Sequence, residues 1–236
     1  MFTLHNGDCL PYMKSLPDKA FDLIVTDPPY GINLASDGFV GGDTKFAKAK
    51  NFKIQTWDKE KVNLSDVFRV SKNQVIFGGN YYDLPKTNSW IVWDKKVKNN
   101  WNDNFSDGEL AWTSFSKPLR IIRYLSIGYH WNHESDGERV HPSQKPLAVM
   151  RWILENYSSP GDLVFDPFMG SGSTGVACVE MGRKFIGCEL SPEYFSVAKK
   201  RIEQASLQPS YLHARLTKRA ADGGDSPAQI GFYLPE

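Results

Sequence analysis

The sequence predicts an α/β fold built on a doubly wound, mostly parallel sheet. Three observations carry that expectation. Short apolar runs at residues 21–26 and 163–165 have strand length and are continuous rather than alternating, as strands covered on both faces must be. Segments that read as helices separate the runs. The unit from Leu163 to Glu189 goes strand, glycine-rich turn, helix, strand, acidic residue, which is the order of a nucleotide-cofactor half-site. A chain of 236 residues is long enough for one large domain of this kind.

Taken in order, residues 2–4 are strand-like and His5-Asn6-Gly7-Asp8-Cys9 reads as the turn after them. Residues 10–16 read as a short helix, with Leu10, Met13 and Leu16 on one face and Pro17-Asp18 closing it. The run 21–26 is the second strand and ends at Asp27-Pro28-Pro29-Tyr30. Residues 31–61 are polar and carry Gly38, Gly41 and Gly42. They hold six lysines from Lys45 to Lys61, and a loop this long is functional or disordered. Residues 62–70 read as a helix and 74–78 as a third strand, followed by Gly78-Gly79-Asn80 at a site-forming position. Residues 90–93 and 109–114 read as further strands. Residues 115–139 interleave Arg120, Arg123 and Arg139 with Tyr124, Tyr129 and Trp131. Such a mixture suits phosphate contact with base stacking, or else an aromatic β-hairpin. Residues 146–156 read as a helix entered through His141-Pro142-Ser143-Gln144-Lys145. After the glycine turn a helix runs to Met181. A strand over 183–188 is closed by Glu189. Ser191-Pro192-Glu193 then caps a helix to Ala205. Residues 206–236 change character and read as a tail, partly disordered or docked on a neighbour.

Composition narrows the class. Apolar residues are 41% and charged residues 23%, ordinary for a globular protein. No apolar run reaches the ~18 residues of a membrane span, and no secretory signal is apparent. Three cysteines, Cys9, Cys178 and Cys188, form no Cys-x-x-Cys pair. That argues against a zinc site or a disulfide framework and for a reducing, cytoplasmic setting. The formal net charge of +1 neither supports nor excludes a nucleic-acid partner, because clustering matters more than the sum.

The chemistry concentrates at two turns. In Asp27-Pro28-Pro29-Tyr30 each proline fixes its φ and lacks an N–H, and Pro29 restrains Pro28. The stiff corner carries a carboxylate, carbonyls that no ladder claims, and a ring. Those groups suit a planar ligand bearing an amine, although a purely structural corner would look similar. The second turn is Asp166-Pro167-Phe168-Met169-Gly170-Ser171-Gly172-Ser173-Thr174-Gly175. Its glycines let backbone approach a ligand. Glu189 ends the next strand, where a carboxylate can accept ribose hydroxyls. Asp166 beside the glycines would gain a pyrophosphate binder nothing.

Asp27-Pro28-Pro29-Tyr30 resembles the catalytic tetrapeptide of the amino-methyltransferases that modify DNA bases with S-adenosylmethionine. The glycine string resembles their cofactor motif, and His141-Pro142-Ser143-Gln144-Lys145-Pro146 the segment that precedes it. The resemblance spans residues 4–205. The tetrapeptide precedes the cofactor loop, which resembles the permuted group called the β class. It implies a single Rossmann-like domain over 1–205, with a catalytic half at 1–115 and a cofactor half at 141–205. DNA-recognition insertions fall at about 31–61 and 115–140.

The resemblance implies catalytic roles for Asp27, Pro28, Pro29 and Tyr30. It places Asp166, Phe168, Gly170, Ser171, Gly172, Ser173, Thr174 and Glu189 on the cofactor. Asp8 and Cys9 would border its adenine, and His141, Ser143, Gln144 and Lys145 would hold its methionine end. No metal is implied. Asp27 and the Pro28 carbonyl would accept the two N–H bonds of an exocyclic amine, while Tyr30 stacks on a base swung out of double-stranded DNA. An aspartate at the head of the tetrapeptide favours adenine N6 over cytosine N4. A homodimer is implied, and a cognate restriction enzyme is left open. A methyltransferase for RNA or protein amides, a nicotinamide-dependent oxidoreductase and a catalytically silent DNA-binding regulator stay as alternatives.

Overall fold

The computed structural model describes residues 1–32, 39–40, 50–51, 58–96, 106–125, 140–141 and 143–207. Most of the loop expected at 31–61, residues 126–139 of the second basic stretch, Pro142 and nearly all of the tail lie outside the described residues.

The chain begins with β1 (Phe2–Asn6) and α1 (Cys9–Lys14), then β2 (Phe21–Thr26). Within the first lysine-rich stretch, β3 (Phe39–Val40) and β4 (Lys50–Asn51) pair antiparallel. Next come α2 (Ser65–Val70), β5 (Ser71–Phe77), β6 (Trp90–Asp94), β7 (Gly108–Thr113) and β8 (Arg120–Arg123). The C-terminal part supplies α3 (Leu147–Tyr157), β9 (Leu163–Asp166), α4 (Ser173–Glu180), β10 (Lys184–Glu189) and α5 (Pro192–Ser206).

Eight strands form one sheet in the order β1-β10-β9-β2-β5-β7-β6-β8. The first five run parallel, β7 is antiparallel to both neighbours, and β8 is parallel to β6. The expected doubly wound, mostly parallel sheet is therefore present. One face packs α3, α4 and α5 on Leu23, Val25, Val75, Val164 and Phe185. The other packs α1 and α2 on Ile24, Ile76 and Phe165. Among the described residues no helix is long and apolar enough to cross a membrane.

Topology fixes where a ligand must sit. β9 leads through α4 to β10 on one side, whereas its sheet neighbour β2 leads through α2 to β5 on the other. The adjacent C-terminal ends of β9 and β2 are thus a switch point, where the outgoing connections diverge and leave a crevice. The glycine turn leaves β9 there, and Asp27-Pro28-Pro29-Tyr30 leaves β2.

Several element bounds differ from expectation. His5 and Asn6 belong to β1 rather than to a turn, because they pair with Cys188 and Glu189. Residues 62–64 are not helical. The α2 helix starts at Ser65, whose N–H is taken by Asn63 Oδ1 at 2.8 Å. β8 replaces the irregular or hairpin structure expected there. Only Ile122 of Arg120-Ile121-Ile122-Arg123 is buried, so an edge strand with arginines at both ends gives little apolar pattern.

Candidate active site

The rigid corner presents a buried acid with every oxygen engaged. The Asp27 side chain is 18% exposed. Its Oδ1 accepts the Tyr30 hydroxyl and its Oδ2 accepts the Lys145 ammonium. Lys145 Nζ also lies 3.3 Å from Glu109 Oε2 and sits over the Phe77 ring. Glu109 in turn pairs with Lys95. Burial pushes the Asp27 carboxyl above its ordinary range and Glu109 adds to that, while Lys145 and Tyr30 pull the other way. Burial drives the Tyr30 hydroxyl far up, with the Asp27 charge beside it. For Lys145, burial is outweighed by its two carboxylates and the ammonium is held. For Glu109, burial is outweighed by Lys145 and Lys95 and the carboxylate is held.

Two tyrosines after β5 brace this corner. Tyr82 donates its hydroxyl to the Pro29 carbonyl. Tyr81 stacks on Tyr30 with centroids 4.8 Å apart and planes 14° from parallel. The Tyr30 ring lies against Gly78, whose φ is +64°. A Cβ there would come within 2.1 Å of Tyr30 Cε1, so only glycine admits the ring.

The glycine turn is fastened by its own acid. Asp166 Oδ2 accepts the Thr174 hydroxyl at 2.6 Å. Its Oδ1 accepts Thr26 at 2.8 Å and the Phe168 N–H at 3.1 Å. Burial lifts the Asp166 carboxyl to about 6, and the three donors oppose that rise. The Thr26 bond joins residues 140 apart in the chain and locks the last residue of β2 to the last residue of β9. Glu189 holds the outer bend through Gly170 N–H at 3.0 Å and Ser191 N–H at 2.8 Å. Gly172 caps α4 with φ +79°, and a Cβ on it would lie 2.9 Å from Ala198 Cβ.

Both turns open into one cavity of about 600 Å³. Asp27 and Pro29 form its wall at the corner, and Asp166, Phe168, Gly170, Ser171, Ser173 and Thr174 form it at the glycine turn. Glu189, Asp8 and Cys9 line one end, and His141, Ser143, Gln144 and Lys145 line it near α3. Pro28, Tyr30 and Gly172 are not on the wall. Pro28 is buried behind it, Tyr30 is turned onto Tyr81, and Gly172 serves helix packing. Asp8 caps α1 by accepting the Leu10 N–H at 2.9 Å. His141 Nδ1 accepts the Ser143 N–H at 3.2 Å, and its ring meets the Tyr194 ring edge-on at 4.2 Å. Lys145 reaches the Asp27 carboxylate, where the sequence placed it at the methionine end.

The residues present fit S-adenosylmethionine. Gln144 Oε1 is oriented by the Val140 N–H at 2.9 Å, which leaves its buried Nε2 without a partner among the described residues. An unsatisfied amide donor on a cavity wall suits a ligand carboxylate. Glu189 lies where ribose hydroxyls would need an acceptor, and burial raises its carboxyl despite three backbone N–H groups. Cys9, Leu10, Phe168 and Cys188 form an apolar stretch of the wall that suits an adenine ring.

Sequence reasoning did not find Glu109, Lys95, Tyr81 or Tyr82. Glu109 did leave a signal, since an acid inside a strand of a covered sheet needs a partner. The partners themselves come from other strands and from the segment before α3, which no local pattern connects.

A family model described as DNA methylase matches residues 45–200. The chain therefore belongs to the N6/N4 DNA methylases, a family of methyltransferases that use S-adenosylmethionine. Curated relatives agree. The chain is 29% identical to the DNA adenine methyltransferase YhdJ of Escherichia coli, over 99% of this chain and 94% of YhdJ. It is 27% identical to the type II methyltransferase M.HinfI of Haemophilus influenzae, over 88% of this chain and 70% of M.HinfI. Among solved structures, the M1.HpyAVI–SAM complex aligns with a TM-score of 0.54 and 28% identity, covering 85% of this chain and all of that one. The cytosine-N4-specific PvuII DNA methyltransferase shares the fold at a TM-score of 0.53 and 16% identity, over 94% of this chain and 93% of that one.

Proposed function

We propose that this protein methylates the N6 amine of adenine in double-stranded DNA, on a base swung out of the helix. The observation that carries the reading is the shared cavity, in which the Asp27 carboxylate faces the same space as the Gly170 bend. Bound there, S-adenosylmethionine supplies an electrophilic methyl group. Glu189 would accept from its ribose, Gln144 would donate to its carboxylate, and Phe168 with Cys9 would enclose its adenine.

An exocyclic amine is a weak nucleophile because its lone pair is shared with the ring. Asp27 accepts one amine N–H and draws the nitrogen toward tetrahedral geometry, so catalysis rests on positioning and preorganised charge. As the N–CH3 bond formed, the S–CH3 bond of the sulfonium would break, the neutral thioether would leave, and the amine proton would pass to Asp27, whose buried carboxyl has a raised affinity for it. Pro28 does not line the cavity, while the Pro29 carbonyl already accepts the Tyr82 hydroxyl and keeps one lone pair. Stacking of the base on Tyr30 requires that ring to part from Tyr81 or to use its other face. Adenine is favoured by the aspartate heading the tetrapeptide and by the adenine specificity in the name of YhdJ.

Incubation of the protein with mixed DNA and S-adenosylmethionine, followed by digestion and mass spectrometry, tests the reading. N6-methyladenine is expected, and Asp27→Ala should abolish it while cofactor binding persists. N4-methylcytosine in its place, or full turnover by Asp27→Ala, would overturn it.

A further inference from the structure

The quartet Asp27–Lys145–Glu109–Lys95 is assembled from four separate places in the fold. Asp27 follows β2, Lys95 follows β6, Glu109 lies in β7 and Lys145 precedes α3. We propose that Glu109 and Lys95 are positioning residues for the methyl-transfer reaction, acting through Lys145 to share its ammonium between two carboxylates and so leave the Asp27 carboxylate able to accept the substrate amine. This rests on the reading of Asp27 as the acceptor of the substrate amine.

The argument is one of charge and geometry. Lys145 alone beside Asp27 would form a closed ion pair, and its ammonium would compete with the substrate amine for the carboxylate. Glu109, 3.3 Å away, gives the ammonium a second anion, so that it is shared and not bound to Asp27 alone. Glu109 can remain charged in that setting because Lys95 neutralises it from the other side. Two carboxylates and two ammoniums then cancel, so a charged group survives in a site that would otherwise neutralise it. The Phe77 ring 5.1 Å from Lys145 Nζ fixes the ammonium from a third direction. Glu109 Oε2 is buried and makes no hydrogen bond of good geometry, which marks it as held for its charge rather than for a saturated bond network.

The remaining groups facing Asp27 are the Tyr30 hydroxyl from its own corner, Asp166 at the end of β9 and Tyr82 after β5. Of all these neighbours, Lys145 favours the charged form most strongly and Glu109 disfavours it most strongly. The two should therefore move the acid limb of the activity profile in opposite directions.

The test measures single-turnover methylation against pH with saturating S-adenosylmethionine and DNA, alongside calorimetric cofactor affinity as a check of folding. Glu109→Gln, nearly isosteric, should move the acid limb down and lower the methyl-transfer rate at least tenfold with cofactor affinity unchanged. Lys145→Met should move the limb up, and Lys145→Arg should restore most of the rate. If Lys145→Met does not fold, the Glu109→Gln limb alone decides. A Glu109→Gln enzyme with the wild-type limb and rate would overturn the proposal. So would a rate loss with the limb unmoved, which is what a purely structural role gives. Asp27→Asn separates the two readings. If it is inactive while Glu109→Gln is normal, only this inference fails, and if it is fully active, the acceptor role of Asp27 fails first.

Discussion

At the scale of single residues, Asp166 shows how a buried acid can serve the fold before it serves a ligand. Its carboxyl, lifted by burial from an ordinary 3.8 to about 6, binds its proton more tightly folded than unfolded. Protonation therefore favours the folded state. That contribution is full below the ordinary value and is lost as pH rises through about 6. Between about pH 4 and pH 7 the wild-type protein should lose about 2 kcal/mol that Asp166→Asn does not, as read from urea melts at the two pH values. Equal slopes for the two proteins would contradict this account. The same oxygens that titrate hold Thr26, Thr174 and the Phe168 N–H, so Asp166 shapes the glycine turn from within while lining the cavity.

At the scale of elements, the glycine turn divides its residues between the cavity wall and helix packing. Gly170 takes φ +51° at the bend, and a Cβ on it would meet the His141 ring at an ordinary 3.6 Å. Gly172 begins α4 in the left-handed region, pressed against α5 at Ala198 and Ile202. Gly172→Ala should combine backbone strain with overpacking and lower the unfolding free energy by about 2 kcal/mol. Chemical denaturation would measure it, and an unchanged midpoint would show that α5 yields at no cost. Arg183 does comparable work between the ends of α3 and α4, where its guanidinium donates to the carbonyls of Leu154, Ser158 and Met181. Leu154 O also accepts the Ser158 N–H and hydroxyl, so Arg183 chiefly ties the two helix ends together.

At the scale of the whole molecule, the link between Thr26 and Asp166 holds the two halves of the site in register. It crosses from β2 to β9 at the point where the outgoing connections diverge. Thr26→Val keeps the shape but leaves a buried carboxylate one donor short, a loss of about 1–3 kcal/mol in stability. Methylation should slow by more than cofactor binding weakens, because the corner and the glycine bend lose their common anchor. Single-turnover rates and calorimetry on that variant would show whether the two losses separate.

Local chemistry was enough to read the strands that end in the two turns, the cap at Ser191, the glycine bend and the acid of Glu189. Each depends on neighbours a few residues away, and continuous apolar runs mark strands covered on both faces. The same locality explains the misreadings. β8 is short, half exposed and bounded by arginines, and His5 with Asn6 is drawn into β1 only by pairing with β10. Tertiary structure alone decided that Asp27 and Gly170 share one cavity, that Lys145 turns to Asp27, and that Glu109 and Lys95 complete a neutral quartet. Charges in a covered site are set by whichever partners the sheet order brings within a few ångströms, and that order follows from long-range pairing and not from spacing along the chain.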